Sequence, residues 1–226
     1  MFFEGNRCPW HRSKEIDRFF GYKISKIEQK LAKKYRSFDK PADASNRKKH
    51  FAGSQVWVGL NPQVLQTPYI DLFWILDFLC SHTILKIVDL GAGYGRIGLV
   101  SKMIFPEAEF VGIEILKERY SEACRIFKKF DLPKCNMLNR NLMDPDFTIP
   151  EADLYFIYDF SHTDEINIAI SHICKRKAKC ARFFIAAIGE RVNFLIGKSG
   201  SFFGGWELIA SKNDIRIFCI STVLKG

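Results

Sequence analysis

Three glycines on alternate positions, Gly91, Gly93 and Gly95, stand between an apolar run and an amphipathic one, and they restrict the fold more than any other feature of the chain. The segment reads Val88-Asp89-Leu90-Gly91-Ala92-Gly93-Tyr94-Gly95-Arg96-Ile97-Gly98, preceded by Ile84, Leu85 and Ile87. Apolar residues leading into an acid, then a turn almost stripped of side chains, then a helical pattern describe a buried strand, a tight turn and a helix start. Such a turn brings backbone N–H groups within contact distance of a nucleotide-like ligand. Gly93-Tyr94-Gly95-Arg96-Ile97-Gly98 fits the dinucleotide pattern G-x-G-x-x-G, which by itself is a weak signal.

Asp89 tilts the choice of ligand. A dinucleotide would lay its pyrophosphate on the helix N-terminus, where a carboxylate just before the glycines repels it. S-adenosylmethionine carries a sulfonium and an ammonium and no phosphate, so a carboxylate suits it. Asp89-Leu90-Gly91-Ala92-Gly93-Tyr94-Gly95 resembles the first motif of the class I (seven-strand, Rossmann-like) S-adenosylmethionine-dependent methyltransferases. A second element, Phe110-Val111-Gly112-Ile113-Glu114, reads as a strand ending in an acid nineteen residues beyond Gly95. The resemblance implies that Glu114 binds both ribose hydroxyls, through charge-assisted hydrogen bonds of roughly 1.5–3 kcal/mol each. It also implies that Asp89, Gly91, Ala92, Gly93, Tyr94 and Gly95 cradle the cofactor. A dinucleotide enzyme would place an acid similarly, so Glu114 speaks for the fold more than for the ligand.

The remaining pattern alternates strand-like and helix-like runs. Strands are expected at Ile84–Asp89, Glu109–Glu114, Lys134–Leu138, Leu154–Asp159 and Arg182–Ile188, and a helix carries the stripe Leu116, Tyr120, Ala123, Phe127 and Phe130. Alternation of this kind implies a parallel sheet covered on both faces. Trp206–Ala210 and Ile215–Ile220, split by Ser211-Lys212-Asn213-Asp214, read as a terminal hairpin. The expected fold is therefore α/β, a doubly wound, mostly parallel seven-stranded sheet with a C-terminal antiparallel hairpin and a basic N-terminal helical extension. Residues 1–66 are expected to form the extension and an irregular lid or linker, and residues 67–226 the cofactor-binding domain.

Charge separates the two parts. Residues 1–50 hold 14 Lys and Arg against 6 Asp and Glu, whereas residues 51–226 hold 20 against 19. Phe20, Ile24, Ile27, Leu31 and Tyr35 recur at helical spacing with Lys23, Lys26, Lys30 and Lys33 between them, an amphipathic basic helix. A basic arm suits nucleic acid, an acidic protein face or an anionic membrane, or serves only as a solvated surface. Further cations cluster at Asn46–His50 and Lys175–Lys179, and Trp57 and Val58 suggest a short strand within the irregular stretch 37–66. The seven cysteines are scattered without a C-x-x-C pair, which argues for a reducing setting. Cys8 and His11 alone make no zinc site, so no metal is expected. The N-terminus lacks the apolar core of a signal peptide, and Ile70–Cys80 is too short to span a bilayer, so a cytoplasmic protein is expected.

In doubly wound sheets the ligand lies beyond the carboxyl ends of the strands. After the third strand, the resemblance implies a polar residue for the adenine amino group and an apolar neighbour for its ring; Asn141 with Leu142 fits best, and Asp144 competes. Thr67-Pro68 is expected to open a helix with Thr67 as N-cap. The resemblance makes Gln66, Thr67 and Tyr69 candidates to touch the methionine end or the acceptor. The fourth strand ends Tyr158-Asp159-Phe160-Ser161-His162. Enzymes that methylate amino groups of bases or glutamine carry N/D-P-P-Y/F here, and both prolines are absent. Asp159 and Tyr158 are placed to contact an acceptor. His162 is either a general base or part of an ordinary helix N-terminus. The expected function is methyl transfer from S-adenosylmethionine, with protein lysine or RNA favoured over a small molecule. The alternatives are a catalytically silent cofactor-binding or assembly module and an NAD-dependent oxidoreductase.

Overall fold

A computed structural model describes residues 8–35, 56–58, 61–63, 65–177, 182–203 and 205–221. Seven strands form one sheet: β1 (Lys86–Leu90), β2 (Glu109–Ile113), β3 (Cys135–Leu138), β4 (Leu154–Tyr158), β5 (Arg182–Ile188), β6 (Trp206–Lys212) and β7 (Ile215–Ser221). Their order is β3-β2-β1-β4-β5-β7-β6. The first five pair in parallel, and β7 is antiparallel to both β5 and β6. The terminal hairpin turns at Asn213, which takes a left-handed φ of 54°. The expected mostly parallel sheet with an antiparallel C-terminal pair is thus observed.

Strand periodicity explains the two layers. Ile87, Phe110, Phe156, Phe184 and Ile217 point to one face and Val88, Val111, Tyr155, Ile185 and Phe218 to the other, each register position feeding opposite cores. The first face is covered by α3 (Tyr69–Phe78), α4 (Arg96–Ile104) and α5 (Lys117–Lys129), and the second by α6 (Thr163–Lys177) and α7 (Glu190–Phe203). Helix α3 is apolar nearly all round, and its Leu72, Ile75 and Leu76 are fully enclosed. Full burial of such side chains contributes about 1.5–3 kcal/mol each. No helix among the described residues is long and apolar enough to cross a membrane.

The N-terminal region departs from the single helix expected across Phe20–Tyr35. Two helices form instead, α1 (Pro9–Phe20) and α2 (Ile24–Lys34). Gly21 ends the first in the left-handed conformation at φ 81°, and the N–H groups of Gly21 and Tyr22 donate to Arg18 O and Asp17 O at 3.0 and 2.9 Å. A glycine is the residue that reaches this conformation without strain, so the periodic stripe breaks there. Helix α5 stitches the break: Arg125 and Lys129 donate to the carbonyls of Gly21 and Phe20, and Glu122 accepts from Lys23 N–H at 2.6 Å. Cations thus meet the carbonyl end of α1, and an anion meets the N–H end of α2.

Two buried ion pairs bind these helices to the sheet domain. Asp17 of α1 receives the guanidinium of Arg96, the first residue of α4, whose Nε lies 2.9 Å from Oδ1. Tyr69 Oη donates to the same oxygen at 3.0 Å. Glu28 of α2 accepts from Tyr94 Oη at 2.7 Å and Arg119 Nε at 2.8 Å. The short strand expected at Trp57–Val58 is not formed; residues 56–58 are unpaired and are held partly by Arg119, which donates to Trp57 O at 2.7 Å. The basic run 46–50 and the end of the run 175–179 lie outside the described residues.

Removing the anion of the first pair leaves Arg96 buried and uncompensated. Asp17→Ala is therefore expected to lower stability by about 3–5 kcal/mol, read as a reduced urea midpoint. Asp17→Asn, which keeps the hydrogen-bonding oxygen, is expected to lose less.

Candidate functional site

The strand ends define the site. Asp89 lies on β1 opposite Gly112 of β2, and Glu114 follows β2 directly. Between them the chain turns through Gly91, Gly93 and Gly95, all with positive φ. The turn is tied to the end of β2: Gly91 and Ala92 donate to Ile113 O at 3.0 and 2.9 Å, and Gly93 donates to Glu114 Oε2 at 2.8 Å. A side chain at Gly91 would strike Phe160, and one at Gly95 would strike Phe127. At Gly93 the same position opens onto empty space. The first and third glycines therefore permit close packing, and the middle one leaves room for a ligand against bare backbone.

That room is a cleft bounded by Gly93, Glu114, Asn141, Leu142, Tyr158 and Phe160. Past Gly91, Gly93 and Tyr158 it joins a recess where Asp89, Gln66, Thr67 and Ala92 meet. The mixed polar and apolar lining suits a small organic cofactor. Asp89, Gly91, Ala92, Gly93, Glu114, Asn141, Leu142, Thr67, Tyr158 and Asp159 are thus brought to one cavity.

The electrostatics of the recess are unusual. Asp89 is buried, and no hydrogen bond reaches its carboxylate among the described residues. Burial, reinforced by the nearby Glu114 charge, pushes its pKa up to about 8. Burial also raises Glu114, against the pull of Arg119 and of the N–H groups of Leu116 and Gly93. Each Glu114 oxygen accepts one backbone N–H, from Gly93 and from Leu116, both at 2.8 Å. A carboxylate oxygen has two acceptor sites, so one remains on each. Gln66 donates through Nε2 to Pro62 O at 3.1 Å, while its buried Oε1 has no partner among the described residues. The buried Asp89 carboxyl and the partnerless Gln66 Oε1 therefore line the same recess. The arrangement calls for a cation or a strong donor.

Several expected site residues take other places. The side chain of Tyr94 turns away from the cleft to Glu28, because its phenol reaches a buried carboxylate there; only its backbone belongs to the turn. Thr67 does not cap α3. Pro68, in extended conformation, is the N-cap and accepts from Asp71 and Leu72, and Ser13 Oγ of α1 accepts from Tyr69 N–H at 3.1 Å. Thr67 O instead accepts from Arg96 at 3.2 Å. Asn141 lines the cleft with its Oδ1 accepting from Met143 N–H at 3.0 Å, and Asp144 lies outside the cleft lining.

The acceptor end is rearranged further. His162 is exposed and outside the lining; its carbonyl accepts from Ile166 N–H at 3.1 Å, so it starts α6 and does not face the cavity as a base. The Asp159 carboxylate is ion-paired with Arg191, and its carbonyl accepts from Trp57 Nε1 at 2.9 Å. The Asp159 side chain and carbonyl are thus both engaged within the protein. Ser161 Oγ donates to Glu165, and both line the cleft. Trp57, Glu165, Arg119 and Arg191 carried no local sequence signal, since their partners lie 30 to 102 residues away, apart from the Ser161–Glu165 step of four. Tyr69 sits with Asp17 and the Arg96 guanidinium, away from the acceptor end.

No protein-family model matches this chain, and no curated protein matches it. Solved structures share its fold. The cofactor-bound protein Rv0187 from MTB aligns with a TM-score of 0.58 at 10% identity, over 70% of this chain and 82% of that one. The SAH-bound Podospora anserina methyltransferase PaMTH1 gives 0.56 at 12% identity, over 80% and 88%. Precorrin-6y C5,15-methyltransferase from Geobacter metallireducens GS-15 gives 0.53 at 15%, over 69% and 89%. The chain spans only 42% of the length of WbdD, to which it is 13% identical with a TM-score of 0.48. The chain has the class I methyltransferase fold, as its glycine turn and acid led us to expect.

The raised Asp89 acid has a consequence without ligand. In the unfolded chain it ionises near its ordinary value, whereas the folded protein keeps its proton until about pH 8. The folded state therefore binds more protons between these limits, and stability falls as pH rises across them. Asp89→Asn is expected to flatten that slope in urea titrations at pH 5 and pH 8.

Proposed function

We propose that this chain binds S-adenosylmethionine and transfers its methyl group to a macromolecular acceptor, protein lysine or RNA in preference to a small molecule. The observation that carries the reading is the buried Asp89, to which no hydrogen bond runs among the described residues, beside the partnerless Gln66 Oε1 in a recess joined to Glu114. An ammonium or sulfonium meets both needs at once, and ribose hydroxyls suit the acceptor site left on each Glu114 oxygen. A pyrophosphate would instead face two carboxylates. The fold shared with cofactor-bound and SAH-bound structures supports the same reading.

When bound, S-adenosylmethionine supplies a methyl group already activated by its sulfonium, so the protein needs no covalent participation. The chain's task is alignment and exclusion of water. Leu142 offers an apolar surface for a ring beside Glu114, and Gly93 lets backbone approach. Trp57 closes the acceptor end by donating to Asp159 O, and Arg191 fixes the β4–α6 loop through Asp159 and Ser161 O. Tyr158, whose phenol is held protonated first by burial and then by Asp214 and Asp159, stands where recess and cleft meet. The aromatic lining at Trp57, Tyr158 and Phe160 accommodates a flat base or an aliphatic amine stem.

Isothermal titration of the folded protein with S-adenosylmethionine tests the reading. Binding is expected for wild type, with a roughly 10- to 150-fold loss in Asp89→Ala, the weight of a charge-assisted bond of about 1.5–3 kcal/mol. Only ionised Asp89 attracts the cation, so affinity is expected to rise with pH up to about 8, with proton release on binding below that value. No measurable binding to folded wild type, or tighter binding of a nicotinamide dinucleotide, would overturn the proposal.

A further inference from the structure

Helix α2 backs the wall of the cleft. Its Glu28 holds Arg119, which lines the cavity, and its Leu31 packs with Val56 and Leu116. On the outward side, α2 and α5 enclose a long open groove into which Lys23, Lys26, Lys30 and Lys117 project. Its two carboxylates are already matched. Glu118 binds Lys34 Nζ at 2.8 Å, and Glu122 binds Arg125 at 2.7 Å as well as the Lys23 N–H. The ammonium groups of Lys23, Lys26, Lys30 and Lys117 are exposed and have no ion-pair partner among the described residues. The groove therefore holds four uncompensated cations, three of them along α2 at steps of roughly 4.5 to 6 Å of helix rise.

We infer that this groove seats the phosphates of a single-stranded nucleic acid whose base enters the neighbouring cleft; the role assigned to that strand, as methyl acceptor, rests on the function proposed above. Two observations favour this partner over an acidic peptide. Peptide interfaces draw their energy from buried aromatic anchors, and no aromatic side chain lines the groove among the described residues. A phosphate backbone draws its affinity from counterion release and needs only cations along its path. Beyond the wall that α2 supports, Trp57, Tyr158 and Phe160 offer the aromatic surfaces on which an unstacked base rests.

Fluorescence anisotropy with a labelled twelve-nucleotide single-stranded RNA of mixed sequence tests the inference. With about four phosphates neutralised, the logarithm of affinity is expected to fall with the logarithm of salt at a slope of about −2.8. Lys26→Glu with Lys30→Glu is expected to weaken binding at least tenfold at low salt and to flatten the slope by about 1.4. Lys117→Glu, on the opposite wall, is expected to weaken binding in the same direction. S-adenosylmethionine titration of the same proteins should be unchanged, so a failure of the cofactor reading is distinguishable from a failure of this one. Unaltered RNA binding by the folded variants, absence of RNA binding by a protein that binds the cofactor, or tighter binding of a poly-glutamate peptide of equal length would overturn it.

Discussion

One buried cation organises the approach to the cleft at the strand ends. Arg96 leaves the glycine turn as the first residue of α4 and is almost wholly removed from water. A guanidinium in that position needs every donor answered, and the answers come from three separate stretches: Asp17 of α1, Gln63 Oε1 at 3.1 Å, and Thr67 O. The Tyr69 ring lies beneath it, 5.0 Å from the guanidinium carbon to the ring centre. The need to satisfy one charge thus draws the N-terminal helix and residues 61–63 and 65–69 against the turn, beside the recess where Gln66 and Asp89 meet.

The recess itself shows the opposite condition. Arg96 makes four hydrogen bonds, while Asp89, seven residues earlier, has none among the described residues. A protein interior rarely keeps a carboxylate in that state, since burial penalises its charge heavily. The neighbouring Glu114 compounds the penalty and is itself relieved by two backbone amides. Buried groups with perturbed titration in a cleft are a signature of function, and here they are Asp89 and Glu114 with the buried Arg119 beside them. Arg96 is a structural cation, and Asp89 lines the open recess.

The core of the site was legible because it is local. Asp89, the three glycines and Glu114 sit at the ends of two adjacent strands whose apolar runs are unmistakable, and the sheet order places those ends together. The hairpin was legible for the same reason. What escaped reading was non-local. Tyr94 belongs to the motif by position, yet its phenol answers Glu28, 66 residues before it. The stripe from Phe20 to Tyr35 hid a helix end because hydrophobic spacing continues across Gly21, and only the left-handed backbone reveals the break. His162 and Asp159 looked chemical by type, but one starts a helix and the other is neutralised by Arg191 from α7.

The span of the two buried ion pairs bears on how the chain reaches this state. Asp17 and Arg96 are 79 residues apart, and Glu28 and Arg119 are 91 apart. Closing loops of that length is entropically slow, and neither carboxylate can be desolvated until its distant guanidinium exists. During synthesis the first two helices emerge from the ribosome well before their partners. They must wait as solvated, amphipathic segments until the β1–α4–β2–α5 unit has collapsed. The N-terminal helices, made before their partners, by this logic dock only after those partners have folded.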